Sequence, residues 1–182
     1  MTTRVHVALL RGINVGRAKR VAMADLRTLV EGLGYRDVRT LLNSGNVVFT
    51  APASVRGDAA SRIEKALAAK LGVSSRVTVL TAAELVTIVE GNPLLGIAGD
   101  FSRLFVAILK ERANRRRLEP LLERNWAPDA LAVGERAAYL WCPHGMLASP
   151  LADVVGRALG DGVTTRNWAT ILKLHALAVS PE

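Results

Sequence analysis

Val5-His6-Val7-Ala8-Leu9-Leu10, then Arg11-Gly12-Ile13-Asn14-Val15-Gly16-Arg17-Ala18-Lys19-Arg20, then the segment 24–33 follow one another near the start of the chain, and their order decides the fold. The first piece is an apolar run of strand length, as expected for a buried strand. In 24–33, Leu26, Leu29, Val30 and Leu33 recur at helical spacing, and Gly34 supplies the left-handed residue that ends a helix. The loop between them combines two glycines, one asparagine and four cations. A strand-to-helix loop of that make-up presents backbone N–H groups and positive charge to an anion.

Working outward, 38–42 and 47–50 read as strands around the turn formers Asn43-Ser44-Gly45-Asn46. A helix over 54–71 carries Ile63, Leu67 and Leu71 on one face, and 76–80 reads as a strand. This half therefore reads β-α-β-β-α-β. Thr81, with Glu84 three residues later, has the capping-box pattern and opens a helix that stops at Gly91-Asn92-Pro93. The loop 94–102 is the expected boundary, giving halves 1–94 and 95–182, either distinct or merged into one compact domain.

Beyond it come a strand over 103–110, a helix over 113–124 disturbed by Pro120, and a hairpin of 130–133 with 137–142. Helices over 150–159 and 165–179 close the chain. The second half repeats much of the first half's order without a repeat in sequence. The expected fold is α+β: two ferredoxin-like (split βαβ) halves packed together, with a C-terminal helix.

The balance of 24 basic against 16 acidic residues gives a net charge of +8. Such a surplus favours phosphates, nucleic acid or acidic surfaces, and it equally fits a plain solvated surface rich in arginine. Cys142 is the single cysteine, so no disulfide forms within the chain, and a reducing cytoplasm is expected. It sits in a strand-like segment and reads as a buried, inert thiol. The apolar run at the start is too short for a signal peptide or a membrane helix, so the expectation is a cytoplasmic protein with no membrane partner.

Gly12 and Gly16 stand four apart, which meets neither the dinucleotide nor the P-loop glycine pattern. No nucleotide cofactor is therefore expected. The three histidines are scattered without metal-ligand spacing, so no metal is expected either, and no nucleophile elbow is present. Aromatic residues make up 4% of the chain, which is thin for single-strand recognition by stacking. The run Arg115-Arg116-Arg117 is a solvated helix face or a nucleic-acid contact.

Three polar motifs remain. In the first loop Arg11, Gly12, Asn14, Gly16 and Lys19 offer amides and charge. In the turn, Asn43, Ser44 and Asn46 both donate and accept, though asparagines there also stabilise a turn by bonding their own backbone. In the closing segment Arg166, Asn167 and Lys173 flank a helix N-terminus that Thr164 or Thr165 is expected to cap, while Trp168 and Ile171 form a core-facing stripe. The expected function is binding of a small phosphate- or carboxylate-bearing ligand where the three motifs join. A nucleic-acid-binding module and an enzyme acting on a phosphorylated small molecule are the alternatives. No base–nucleophile pair assigns catalytic residues, and the sequence leaves the oligomeric state open.

Leu9-Leu10-Arg11-Gly12-Ile13-Asn14-Val15-Gly16, Met23-Ala24-Asp25-Leu26-Arg27 and Asn43-Ser44-Gly45-Asn46-Val47-Val48-Phe49 together resemble a bacterial family known as domain of unknown function 1697. Thr165-Arg166-Asn167-Trp168 with Leu172-Lys173-Leu174 resembles that family's closing motif. The resemblance implies an α+β fold of two ferredoxin-like halves in a cytoplasmic bacterial protein, and implies no activity, substrate or catalytic residue. Two departures stand out against the family pattern. Ala169 replaces a common Asn, and Leu147-Ala148-Ser149-Pro150-Leu151 replaces a segment with two cations.

Overall fold

The computed structural model of the protein describes residues 4–17 and 19–180; Ala18 of the first loop and the opening Met1-Thr2-Thr3 lie outside the described residues. The chain forms two compact units, Met1–Leu85 with Leu174–Glu182, and Val86–Lys173. They divide within the helices that follow the two sheets, whereas the sequence pattern points to the loop 94–102.

The first unit runs β1 (Arg4–Leu10), α1 (Met23–Gly32), β2 (Arg36–Leu41), β3 (Asn46–Ala51), α2 (Ala59–Leu71) and β4 (Val77–Thr81), and leads into α3 (Ala82–Glu90). Its strands form an antiparallel sheet in the order β2-β3-β1-β4, the arrangement of a split βαβ pair. Leu26, Leu29 and Val30 of α1 and Ile63, Ala66 and Leu67 of α2 join Ala8, Leu10, Val47 and Phe49 in one buried cluster. Each large apolar side chain enclosed there contributes about 1.5–3 kcal/mol through water released from its surface.

Local chemistry sets the helix ends. Gly34, at φ +93°, follows α1 and donates its amide to the Glu31 carbonyl at 2.9 Å. The second helix begins at Ala59 and not at 54, because the Asp58 carboxylate accepts the Ser61 amide at 2.8 Å and so caps the chain there. The capping box of α3 forms as the sequence indicates: the Thr81 amide donates to Glu84 at 2.9 Å, and the Glu84 amide to Thr81 at 3.1 Å. At the sheet's edge, β2 slips register between Arg36 and Arg39 around Asp37, whose φ is +51°. Arg39 there donates to the Leu177 carbonyl at 2.8 Å.

The second unit runs from the end of α3 through β5 (Leu104–Leu109), two 3-10 helices (Arg112–Arg117 and Glu119–Glu123), β6 (Ala130–Val133), β7 (Ala137–Trp141), α4 (Pro150–Leu159) and β8 (Val163–Asn167) into α5 (Trp168–Val179). Its sheet order, β6-β7-β5-β8, repeats that of the first unit. The α+β class and the two similar halves are thus present, and two expectations need correction. The helix over 113–124 is replaced by the two 3-10 segments, since Pro120 lacks the amide an α-helix would need at that point. The closing helix starts at Trp168 rather than 165; the residues before it pair with β5 as the fourth strand that completes the repeat.

The core of this unit gathers Ala107, Leu109, Leu140, Leu151, Val155 and Leu159. Cys142 is buried beside Ser149, whose hydroxyl caps α4 by accepting the Ala152 amide at 2.9 Å and donates to Asp129 at 2.7 Å. Burial pushes the Cys142 thiol up, as expected for an inert core cysteine. Among the described residues no helix is long and apolar enough to cross a membrane.

Candidate functional site

The first loop leaves β1 under restraint on both sides. Leu10 donates its amide to the Gly45 carbonyl at 2.9 Å, and Arg11 to that of Arg76 at 2.9 Å. The Ser75 hydroxyl donates to the Arg11 carbonyl at 2.8 Å. Three residues turn left-handed in quick succession: Gly12 at +66°, Asn14 at +53° and Gly16 at +55°. Asparagine tolerates that conformation better than other side-chain-bearing residues, and here it uses its side chain as well.

Asn14 is the clamp of this loop. Its Oδ1 accepts the Val21 amide at 2.9 Å, and its Nδ2 donates to the Val21 carbonyl at 2.8 Å and the Asn43 carbonyl at 2.8 Å. Its own amide closes the loop on the Lys19 carbonyl at 2.8 Å. The first loop and the Asn43–Asn46 turn are therefore joined within the first unit. Asn46 is fully buried and donates to the Leu41 carbonyl at 2.8 Å and Ser44 Oγ at 2.9 Å, so its amide shapes the turn. Gly45 has a φ of +82°, and a Cβ on it would lie 2.8 Å from Leu10 and from Ile13. Leu42 holds a φ of +57° although half of its surface is exposed, a costly conformation for leucine.

What the clamp presents outward is the tip of the loop. Val15, Gly16 and Arg17 are exposed, and their backbone amides have no hydrogen-bond partner among the described residues. Exposed cations stand beside them. Arg20 donates to the Gly16 carbonyl at 2.8 Å, and Lys19 bonds the Ser74 carbonyl. Arg17, Lys19 and Arg20 are, with Arg11, the four cations that the sequence offers to an anion in this loop.

Arg166, Asn167 and Lys173 belong to the second unit. Because Arg166 and Asn167 are on a strand, they alternate between its two faces instead of sharing one turn of a helix. Arg166 is half-buried and donates to the Thr165 carbonyl at 2.9 Å; burial brings its guanidinium down to about 10, still charged at neutral pH. The cap of α5 is Asn167, not Thr164 or Thr165: its Oδ1 accepts the Thr170 amide at 2.9 Å. Trp168 and Ile171 are buried as the stripe indicates, and Lys173 is exposed.

A second concavity in the first unit was not legible from motifs. A cleft of about 600 Å³ opens where β1 begins, with Arg4, His6, Asp58, Thr81 and Glu84 among its lining. His6 stands opposite Phe49 and Thr81 in the sheet and stacks on the Phe49 ring at 5.6 Å. Among the described residues no group of three or more His, Cys, Asp or Glu is arranged to hold a metal ion.

The two repeated sheets and the clamped loop define a small α+β protein built of paired ferredoxin-like units. The chain belongs to the family described as protein of unknown function (DUF1697), whose model matches residues 1–139. Among solved structures it is similar to the conserved bacterial protein SP0830 from Streptococcus pneumoniae, at 20% identity and a TM-score of 0.74, covering 97% of this chain and 99% of that one. At that identity the likeness is one of fold. No curated protein matches the chain.

Proposed function

We propose that the first unit binds the phosphate or carboxylate group of a small ligand at the tip of the loop 12–20. The observation that carries this reading is the run of exposed residues Val15, Gly16 and Arg17, whose amides have no hydrogen-bond partner among the described residues, next to the side-chain bonds that fasten Asn14. Successive N–H groups about a left-handed residue such as Gly16 are the backbone arrangement that takes up an anion, and a loop already fastened by Asn14 loses less freedom on binding. Arg17, Lys19 and Arg20 add charge, with Arg11, Gly12, Asn43 and Ser44 on the flanking backbone; Asn14 and Asn46 position and do not touch the ligand. Only first-unit residues carry this reading. The lone buried cysteine fits a cytoplasmic setting.

The test is a titration of the full chain with inorganic phosphate, and separately with citrate, followed by amide chemical shifts. Saturable movement of the Val15, Gly16 and Arg17 signals is expected, weakened about tenfold or more in the Arg17→Ala, Arg20→Ala variant, as loss of charge-assisted bonds worth about 1.5–3 kcal/mol requires. Shifts that fail to saturate with either anion would sink the reading.

A second reading, a nucleic-acid contact, rests on Arg116 and Arg117, which project from the first 3-10 helix as exposed residues. It requires binding of an oligonucleotide whose affinity falls steeply and linearly with salt on logarithmic axes.

A further inference from the structure

The two sheets end in the outer strands β2, β4, β6 and β8. In an outer strand every second residue turns its N–H and C=O away from the neighbouring strand, where they can pair with another chain. In β4 the outward residues are Val77, Val79 and Thr81, since the Arg11 amide bonds the Arg76 carbonyl and sets the alternation. The Val77 amide is taken by Glu64 at 2.8 Å and the Thr81 amide by Glu84 at 2.9 Å. In β8 the outward Thr165 carbonyl accepts from Arg166 at 2.9 Å. Strand β2 is interrupted by its register slip between Arg36 and Arg39.

Strand β6 has none of these devices. Its hairpin closes with the Gly134 amide on the Ala137 carbonyl at 2.8 Å, so Ala130 and Ala132 bond β7 while Leu131 and Val133 turn their backbone groups outward. Among the described residues nothing bonds to those outward groups. The ladder is regular, and Ala130-Leu131-Ala132-Val133 contains neither charge nor proline.

The side chains beside this edge define what fits it. Leu131 and Val133 share one face and pack, half-buried, on the core of the second unit. Half-buried Trp126 packs on the same core. Its indole N–H donates to the Leu121 carbonyl at 2.7 Å, and its carbonyl accepts the Asp129 amide at 2.9 Å, just before β6 begins. Arg124 stands over the Trp126 ring at 5.8 Å, exposed and with no carboxylate paired to it among the described residues. A second copy of the chain fits less well. In the antiparallel self-pairing that satisfies both outward residues, Leu131 meets Val133 of the copy and Asp129 meets its Glu135, like charge against like.

We infer that β6 is a docking edge for an extended segment of another polypeptide, which adds a strand to the second sheet. The segment carries apolar side chains at alternate positions and an acidic residue at its end for Arg124. This edge lies in the second unit and does not depend on the loop 12–20.

The probe is the capped peptide acetyl-Glu-Val-Thr-Val-Thr-Val-Glu-amide, titrated into the full chain and followed by backbone amide shifts. Saturable movement of the Leu131 and Val133 signals is expected, with slower hydrogen exchange at both. Val133→Pro removes an outward N–H and no bond to β7, a change that outer strands accept. It is expected to weaken binding about threefold or more, as loss of one hydrogen bond requires. Arg124→Ala, at an exposed position, is expected to keep the circular dichroism spectrum and to weaken binding about threefold, as for an exposed ion pair. It leaves unchanged the affinity for the peptide with Gln at both ends. Absence of saturable movement at Leu131 and Val133, or equal binding of the acidic peptide by the natural chain and Arg124→Ala, overturns the inference. So does a doubling of mass with protein concentration that moves the same amides and excludes the peptide, which marks the edge as a surface for self-association.

Discussion

Asn14 donates its side-chain amide to the carbonyl of Asn43 at 2.8 Å, across 29 residues of chain. That bond fastens the loop after β1 to the turn between β2 and β3. The same side chain pairs with both backbone groups of Val21. One residue thus sets the loop's left-handed turn, its closure and its neighbour.

Replacing Asn14 with Ala removes these bonds and places a residue with no local polar group at φ +53°. A loss of about 2–4 kcal/mol is expected, from the left-handed penalty and the backbone groups left unpaired. Urea unfolding measures it. Hydrogen exchange at the Val21 amide is expected to quicken in the variant, and phosphate is expected to stop shifting Val15, Gly16 and Arg17.

Gly45→Ala is expected to cost about 2–4 kcal/mol. The new methyl group would meet Leu10 and Ile13 at 2.8 Å, and the backbone there holds φ +82°. Left-handed strain contributes about 1–2 kcal/mol and overpacking about 1–3. The midpoint of a urea transition is expected to fall with its slope unchanged.

Tyr139 makes the second unit sensitive to alkali. Its hydroxyl donates to the Ile88 carbonyl at 2.7 Å, and burial pushes its pKa from 10.0 up to about 12. A raised value in the fold means that the unfolded chain loses the proton first. The stability it contributes is complete below pH 10 and is lost as the pH rises toward 12. Arg166, lowered to about 10 by burial, acts in the opposite direction over that range. The difference between the natural chain and Tyr139→Phe isolates the tyrosine, since Arg166 is common to both. The variant is expected to start about 1 kcal/mol less stable at neutral pH, from the lost hydrogen bond, and to show the shallower decline above pH 10.

At α5 the cap separates side-chain chemistry from charge. Asn167→Ala is expected to cost about 1 kcal/mol and Asn167→Asp little, because both Asn and Asp accept the Thr170 amide. Thermal unfolding of the three proteins in parallel checks the order.

The first β-α step was legible because its apolar residues repeat at helical spacing over a full helix and Gly34 closes it. Strand β8 was hidden for the converse reason. Val163-Thr164-Thr165-Arg166-Asn167 has one apolar residue, and the Trp168 stripe draws the helical period back across it. The strand exists because β5 offers a hydrogen-bonding edge, which is a tertiary cause. The polar motifs were visible as residue types, while their division between clamp and contact was not. Whether an asparagine binds its own backbone or faces outward depends on which carbonyls the fold brings within reach, as Val21 and Asn43 are brought to Asn14.

The register slip in β2 has a bearing on how the protein behaves when crowded. An outer strand with a regular ladder is a template on which further copies can stack edge to edge. Here the ladder is interrupted at Asp37, and Arg36 stands exposed beside it. A second molecule approaching along that border would meet a mismatched spacing and a fixed positive charge at one place. The mismatch lies in the backbone, so unlike the charge of Arg36 it does not fade at salt concentrations that screen the arginine.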